Sequence, residues 1–243
     1  MSRPPRGLHQ HLVDDLGQRI VAGTYAPGES LHPDALEQEL EVSKTALREA
    51  LRVLAAKGLI ESRQKRGTFV RPRADWNLLD TDLLRWQRDR AADNDFLANV
   101  GEVRLIVEPP AARLAAQRRE ASDLDALEGA LTAMAEAGTD SDASVEADVA
   151  FHCALLAAAH NELLTRMAMV IEAGLRVRDP LIHGGGEWAD PLPQHQAVLD
   201  AVRARDSDAA ERAVQYLLVE AAADLDDLLQ SPHRSGASCR SPR

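Results

Sequence analysis

Aromatic residues are scarce in this chain of 243 residues: three Phe, three Trp and two Tyr, 3% of the total. Sheet-rich folds draw on aromatic and β-branched side chains, so this scarcity, beside abundant Ala and Leu, argues against a β-sandwich or barrel and for a helical body. Cysteine is nearly absent too. Cys153 lies in an apolar stretch and Cys239 in a Ser/Arg tail, which is neither a disulfide framework nor a paired-thiol zinc motif and points to a reducing cytoplasm. Long apolar runs are missing. The longest uncharged stretch, 149–161, is too short to span a bilayer and carries His152 and His160, and Met1 to Arg6 lacks the apolar core of a signal peptide. A soluble protein is expected, with 45% hydrophobic residues to build a core.

Positive charge is also lacking overall, at a net −11, yet the deficit is uneven. Residues 1–73 hold 12 basic and 9 acidic side chains, while residues 74–243 hold 16 and 30. Between 43 and 73 stand Lys44, Arg48, Arg52, Lys57, Arg63, Lys65, Arg66, Arg71 and Arg73, opposed only by Glu49 and Glu61. A small basic module joined to an acidic one is the reading; a solvated basic face is the plainer alternative.

Within the basic module, Leu8, Leu12, Leu16, Ile20 and Val21 fall at helical spacing and Gly23 ends that helix. A short helix is expected at about 33–41, and a third from Lys44 to Lys57, capped by Ser43 and stopped by Gly58. Residues 59–63 and 68–71 then read as two strands of a hairpin. Three helices and a β-hairpin wing make a winged helix-turn-helix. Its third helix would enter the major groove of double-stranded DNA, where a forked donor such as Arg48 suits guanine edges.

From Leu78 onward the pattern is helical. The expected helices cover about 79–86, 96–117 (interrupted or kinked at Pro109-Pro110), 122–137 (capped by Ser122), 145–160, 162–178, 194–204 and 207–229, with a long loop at 180–193. The fold class is therefore mostly α: an N-terminal winged helix-turn-helix over 1–73, a linker and first helix over 74–93, a C-terminal antiparallel helical bundle over 94–230, and a disordered tail over 231–243. Asp148 and His152 are four residues apart on one helical face, and His195 opens a later helix. Together they could hold a divalent cation such as zinc; a surface hydrogen bond is the alternative. A metal there could also activate water, the chemistry of a metal-dependent enzyme acting on a small organic acid, although no nucleophile-and-base motif accompanies it. Arg104, inside a bundle, would need an anion: either Glu108 one turn later or a bound carboxylate.

Gly23, Tyr25, Pro27-Gly28, Leu31, Leu36, Val42-Ser43-Lys44-Thr45, Leu47-Arg48-Glu49-Ala50-Leu51, Leu54, Gly58-Leu59-Ile60, Gly67 and Val70 together closely resemble the GntR family of bacterial transcription regulators. The resemblance covers almost all of 8–72 and implies operator contacts from Ser43, Lys44, Thr45 and Arg48, with Arg66 and Gly67 at the wing tip; Arg52 and Lys65 extend that basic surface. Asp34 departs from it, standing where many members carry Arg. Further on, Arg104, Glu108, Ala111-Ala112, Asp148, Phe151-His152, His195, Val198, Ala201-Val202, Asp206 and Ala210 resemble the ligand-binding FCD domain of the FadR subfamily. That likeness implies a homodimeric repressor whose bundle binds a small carboxylate, with Arg104, Asp148, His152, His195 and Trp188 as effector residues. It also implies a metal on Asp148, His152 and His195, although Leu217 stands where the fourth ligand, a His, should fall. Residues 75–86 resemble the linker of the galactonate-operon repressor group, which implies a sugar acid such as galactonate as effector.

Overall fold

Leu12, Val13, Leu16, Ile20 and Val21 are buried on α1 (Leu8–Val21), as the spacing of its apolar residues requires. The computed structural model describes residues 8–88, 94–138, 140–184 and 191–230. After α1, Gly23 takes a positive φ of 78° and its N–H reaches the carbonyl of Ile20 at 3.0 Å, ending the helix. Then come β1 (Ser30–Leu31), α2 (Pro33–Glu39) and α3 (Lys44–Ala56). Ser43 caps α3 as expected, accepting the Ala46 N–H at 3.3 Å, and Leu47, Ala50, Leu51 and Leu54 form the buried stripe. The hairpin strands β2 (Ile60–Arg63) and β3 (Gly67–Val70) pair antiparallel from Ile60↔Val70 to Arg63↔Gly67. Strand β1 was not anticipated. It adds to β3 through Ser30↔Phe69 and Leu31↔Thr68, giving a three-stranded sheet in the order β1-β3-β2. Two residues are too few to display alternation, so only the pairing defines this strand.

The segment read as linker and first helix joins the same core. Helix α4 (Thr81–Arg88) packs on α1, with Leu83 and Trp86 buried beside Leu12 and Leu16, and Trp76 contributes as well. A side chain at Gly17 would begin within 2.6 Å of the Trp86 ring, so this close packing requires the glycine.

The chain divides into two compact units, Met1–Asp93 and Asn94–Arg243. Among its described residues the second contains helices and short connections: α5 (Asn94–Arg118), α6 (Ala121–Ala137), α7 (Ser141–Ala158), α8 (Glu162–Gly184), α9 (Leu192–Arg203) and α10 (Ser207–Gln230). Several expectations need correction. Helix α5 runs through Pro109-Pro110 without interruption. Proline removes the bonds to the carbonyls four residues back, those of Leu105 and Ile106, and these residues are 41% and 72% exposed, so water can take the donors' place. Helix α6 is capped by Glu120 rather than Ser122, in a reciprocal box with Asp123. Helix α7 starts at Ser141, four residues early, because Asp140 accepts the N–H groups of Asp142 and Ala143. The loop expected from Pro180 is helical as far as Gly184. Trp188 and the tail 231–243 lie outside the described residues.

Helix α7 is central: ten of its residues are buried, facing one apolar cluster with α5, α6, α9 and α10 and another with α5 and α8. A helix buried on nearly all sides must bury its polar residues too, and Asp148 and His152 are among them.

Candidate functional site

In the first unit, Lys44, Thr45, Arg48 and Arg52 are exposed along α3, and Lys65, Arg66 and Gly67 are exposed at the hairpin turn. The turn is tight: Lys65 has φ 62°, Gly67 φ 104°, and the Arg66 N–H bonds to Arg63 O at 3.0 Å. Not every cation is free. Arg52 pairs with Glu49 at 3.0 Å, Lys44 lies 3.8 Å from Asp34, and Arg63 pairs with Glu61 while lying 4.8 Å from the Phe69 ring centre. Arg48, Lys65 and Arg66 make no ion pair with any described residue, which leaves them available to phosphates or bases.

In the second unit, the helical spacing of Asp148 and His152 on α7 and the first turn of α9 bring Asp148, His152 and His195 together, with potential ligand atoms within 4.8 Å of one another. His195 places Nδ1 2.8 Å from the Pro191 carbonyl, which can only accept, so this nitrogen carries the proton. Its Nε2 then faces Asp148 Oδ1 at 2.9 Å. His152 points Nε2 toward the same carboxylate at 3.7 Å, and its Nδ1 lies 2.6 Å from Glu108 Oε2. The carbonyl partner on the outer nitrogen of His195 is a usual means of aiming a metal-binding imidazole, whereas Glu108 Oε2 is buried close to His152 Nδ1 without a well-aligned hydrogen bond. Asp148 Oδ2 and His195 Nε2 are buried without a well-aligned hydrogen bond. The donor set therefore fits a metal ion. Leu217 does not contribute, being packed into the apolar core beside Val214 and Leu218.

Two residues the sequence reading did not place in this cluster complete it. Glu108, fully buried on α5, binds Arg104 Nε through Oε1 at 2.6 Å, so the ion pair that spacing allowed is the one formed. Arg178 on α8 stands 3.8 Å from Asp148 Oδ2. The i,i+4 spacing signalled Glu108 as Arg104's partner; nothing local signals Arg178. Phe151 packs edge-on against His195, ring centres 4.8 Å apart, and fixes the imidazole from the apolar side.

Burial acts against the Glu108 carboxylate, but Arg104 and His152 outweigh it and hold its pKa at about 2. Asp148 is held well below the usual carboxylate range: burial opposes this, and His152, His195 and Arg178 prevail. His152 is lowered, chiefly by burial and also by Arg104, against the pull of Glu108 and Asp148. Cys153 is no nucleophile, because burial pushes its thiol up to about 11. Arg104 and Arg178 also line a cavity of about 270 Å³ between α5, α8 and α10, whose other walls include Val100, Leu105, Leu218 and Leu225.

A winged helix with free cations, followed by a bundle with a buried polar cluster beside a cavity, is the architecture of a DNA-binding regulator with a helical sensor domain. The chain belongs to the GntR family of bacterial regulatory proteins, whose model matches residues 8–70, and the FCD domain model matching residues 99–220 places it in the FadR-type subfamily. It is similar to the galactonate operon transcriptional repressor of Escherichia coli (strain K12), 39% identical over 220 residues, 89% of this chain and 96% of the relative. It is also 31% identical to the HTH-type transcriptional regulator LutR of Bacillus subtilis (strain 168), over 80% of this chain and 90% of that one. A solved structure of Lar from Listeria monocytogenes shares the fold, with a TM-score of 0.63 at 17% identity, covering 93% of this chain and all of that one. The protein is thus a DNA-binding transcriptional regulator and not an enzyme.

Proposed function

We propose that this protein is a homodimeric, cytoplasmic repressor that releases operator DNA when a small carboxylate binds its bundle. The observation that carries this reading is the buried Asp148–His152–His195 cluster beside a cavity reached by two guanidiniums. Such a site suits an anion bound next to a metal, and zinc is the metal its nitrogen and oxygen donors favour. When bound, the metal supplies positive charge for an effector oxygen, while the three side chains hold it and Arg104 and Arg178 attract the carboxylate. Galactonate is the first effector to test, given the relative at 39% identity and the linker resemblance. The operator is read by Ser43, Lys44, Thr45, Arg48 and Arg52 on α3 and by Lys65, Arg66 and Gly67 at the wing. The ligand acts by favouring the state that cannot bind DNA, and a tenfold shift requires about 1.4 kcal/mol of differential affinity.

The test is a fluorescence-anisotropy titration of the promoter fragment upstream of the protein's own gene, at fixed salt. Wild type should bind it over random duplex, galactonate should weaken binding at least tenfold, and Arg48→Ala should lose the preference for the promoter. Equal affinity of Arg48→Ala and wild type would remove α3 from operator reading.

A further inference from the structure

Helix α10 packs along α5 and turns its other side outward. Val214, Leu217 and Leu218 sit in the apolar core, whereas Arg212, Tyr216, Val219, Glu220 and Ala223 are exposed. Large apolar side chains scattered singly over a surface are ordinary. Here they gather: Leu105 and Ile106 on α5 and Tyr216 and Val219 on α10 are four of the five exposed among the described residues of the second unit. Charge on α10 is ordered as well. Arg212 stands four residues before Tyr216 and Glu220 four after it, so the three share one side of the helix. Neither Arg212 nor Glu220 makes an ion pair with a described residue, while Asp208 and Glu211 on the same helix are both taken by Arg113 of α5. Ala209 and Ala223 lie seven residues to either side of Tyr216, two turns away, and add little bulk to that face.

We propose that the α10 face centred on Tyr216 is where two copies of this chain pair, antiparallel about a two-fold axis, with Arg212 of each copy opposite Glu220 of the other. The proposal rests on the homodimer reading given above and names the face on which it operates. A two-fold contact must be complementary to itself, and this face is: the axis at Tyr216 converts the spacing of Arg212 and Glu220 into two opposite-charge pairs and sets Ala209 against Ala223. Apolar contact by Tyr216 and Val219 supplies the affinity, since exposed ion pairs contribute little. The charges set the direction, because a parallel pairing would put Arg212 against Arg212 and Glu220 against Glu220. Asp208 and Asp224 are also opposed by this axis, but they lie two turns from it at the edges of the face, where crossing helices diverge, and Asp208 is held by Arg113.

The experiment is sedimentation of the fluorescently labelled full chain, without DNA, over a dilution series reaching nanomolar concentration. Arg212→Glu and Glu220→Arg each create two like-charge oppositions per dimer, because the symmetry counts every substitution twice, and each should weaken dimerisation about tenfold or more. Mixed one to one, the two variants should form dimers of wild-type affinity, since both pairs are then restored with their signs exchanged. A fault within one folded chain is not repaired by mixing. Variants that dimerise like wild type, or a mixture no tighter than its weakened components, overturn the proposal. Should either variant lose its helical circular dichroism, Tyr216→Asp decides: it opposes two carboxylates at the axis and should weaken the dimer about tenfold or more, and an unchanged dimer ends the proposal. Wild type that stays monomeric throughout overturns the homodimer reading as well, whereas a wild-type dimer indifferent to these substitutions overturns only the choice of face.

Discussion

At the scale of single residues, the buried cluster ties the bundle's stability to pH in one direction. Glu108 has a pKa of about 2 against 4.5 for a free side chain, so its contribution is complete above 4.5 and is lost as pH falls through about 2. Asp148 has the same sign. His152 is lowered from 6.5, so below that pH the unfolded chain takes up a proton that the folded chain refuses. All three effects erode stability on acidification, beginning below about pH 6.5. The urea midpoint of metal-free protein, followed by circular dichroism, should fall steadily from pH 7 to pH 3, and Glu108→Gln should flatten the portion below 4.5. A midpoint that held level or rose over that range would contradict the cluster as described. Spacing made part of this legible: four-residue intervals on α5 and α7 placed Arg104 with Glu108 and Asp148 with His152. The contacts between helices were not legible, because Glu108 meets His152 across 44 positions of sequence and no local pattern encodes which two faces pack.

At the scale of elements, apolar periodicity found the helices where one face is buried and lost their ends where capping or full burial governs. Helices α1 and α3 read clearly. Helix α7 is buried nearly all round, so its start depended on Asp140 rather than on a stripe, and α5 passes two prolines because the orphaned carbonyls face water. Helix α4 gives the sharpest test of element packing. Trp86 is 1% exposed, its ring lies against Gly17, and its Nε1 donates to Asp14 at 3.2 Å. Gly17→Val adds methyl groups where the indole already sits, and overpacking of this kind costs about 1–3 kcal/mol. Thermal unfolding of a fragment spanning 1–93, followed by tryptophan fluorescence, should show a midpoint lower by several degrees. If α4 were only a tether, the substitution would leave that midpoint unchanged or raise it through loss of a helical glycine.

At the scale of the whole molecule, two cores and two opposite charge balances coexist in one chain: residues 1–73 carry a net +3 and residues 74–243 a net −14. An acidic body repels DNA phosphates, which confines attraction to α3 and the wing and should make binding fall steeply with salt. Among the described residues a single winged helix offers Arg48, Lys65 and Arg66 as unpaired cations, a small number for tight binding, and the proposed pairing of two such modules through the second unit would supply the remaining operator affinity. The excised fragment 1–93 should therefore still fold, since its core is its own, and should bind duplex DNA with the salt dependence of the full chain's basic face. Its affinity for the promoter, however, should drop at least a hundredfold, with no response to galactonate. Anisotropy measured at several salt concentrations checks this directly. Full promoter affinity in the fragment would mean that the bundle neither pairs the DNA-binding modules nor governs them.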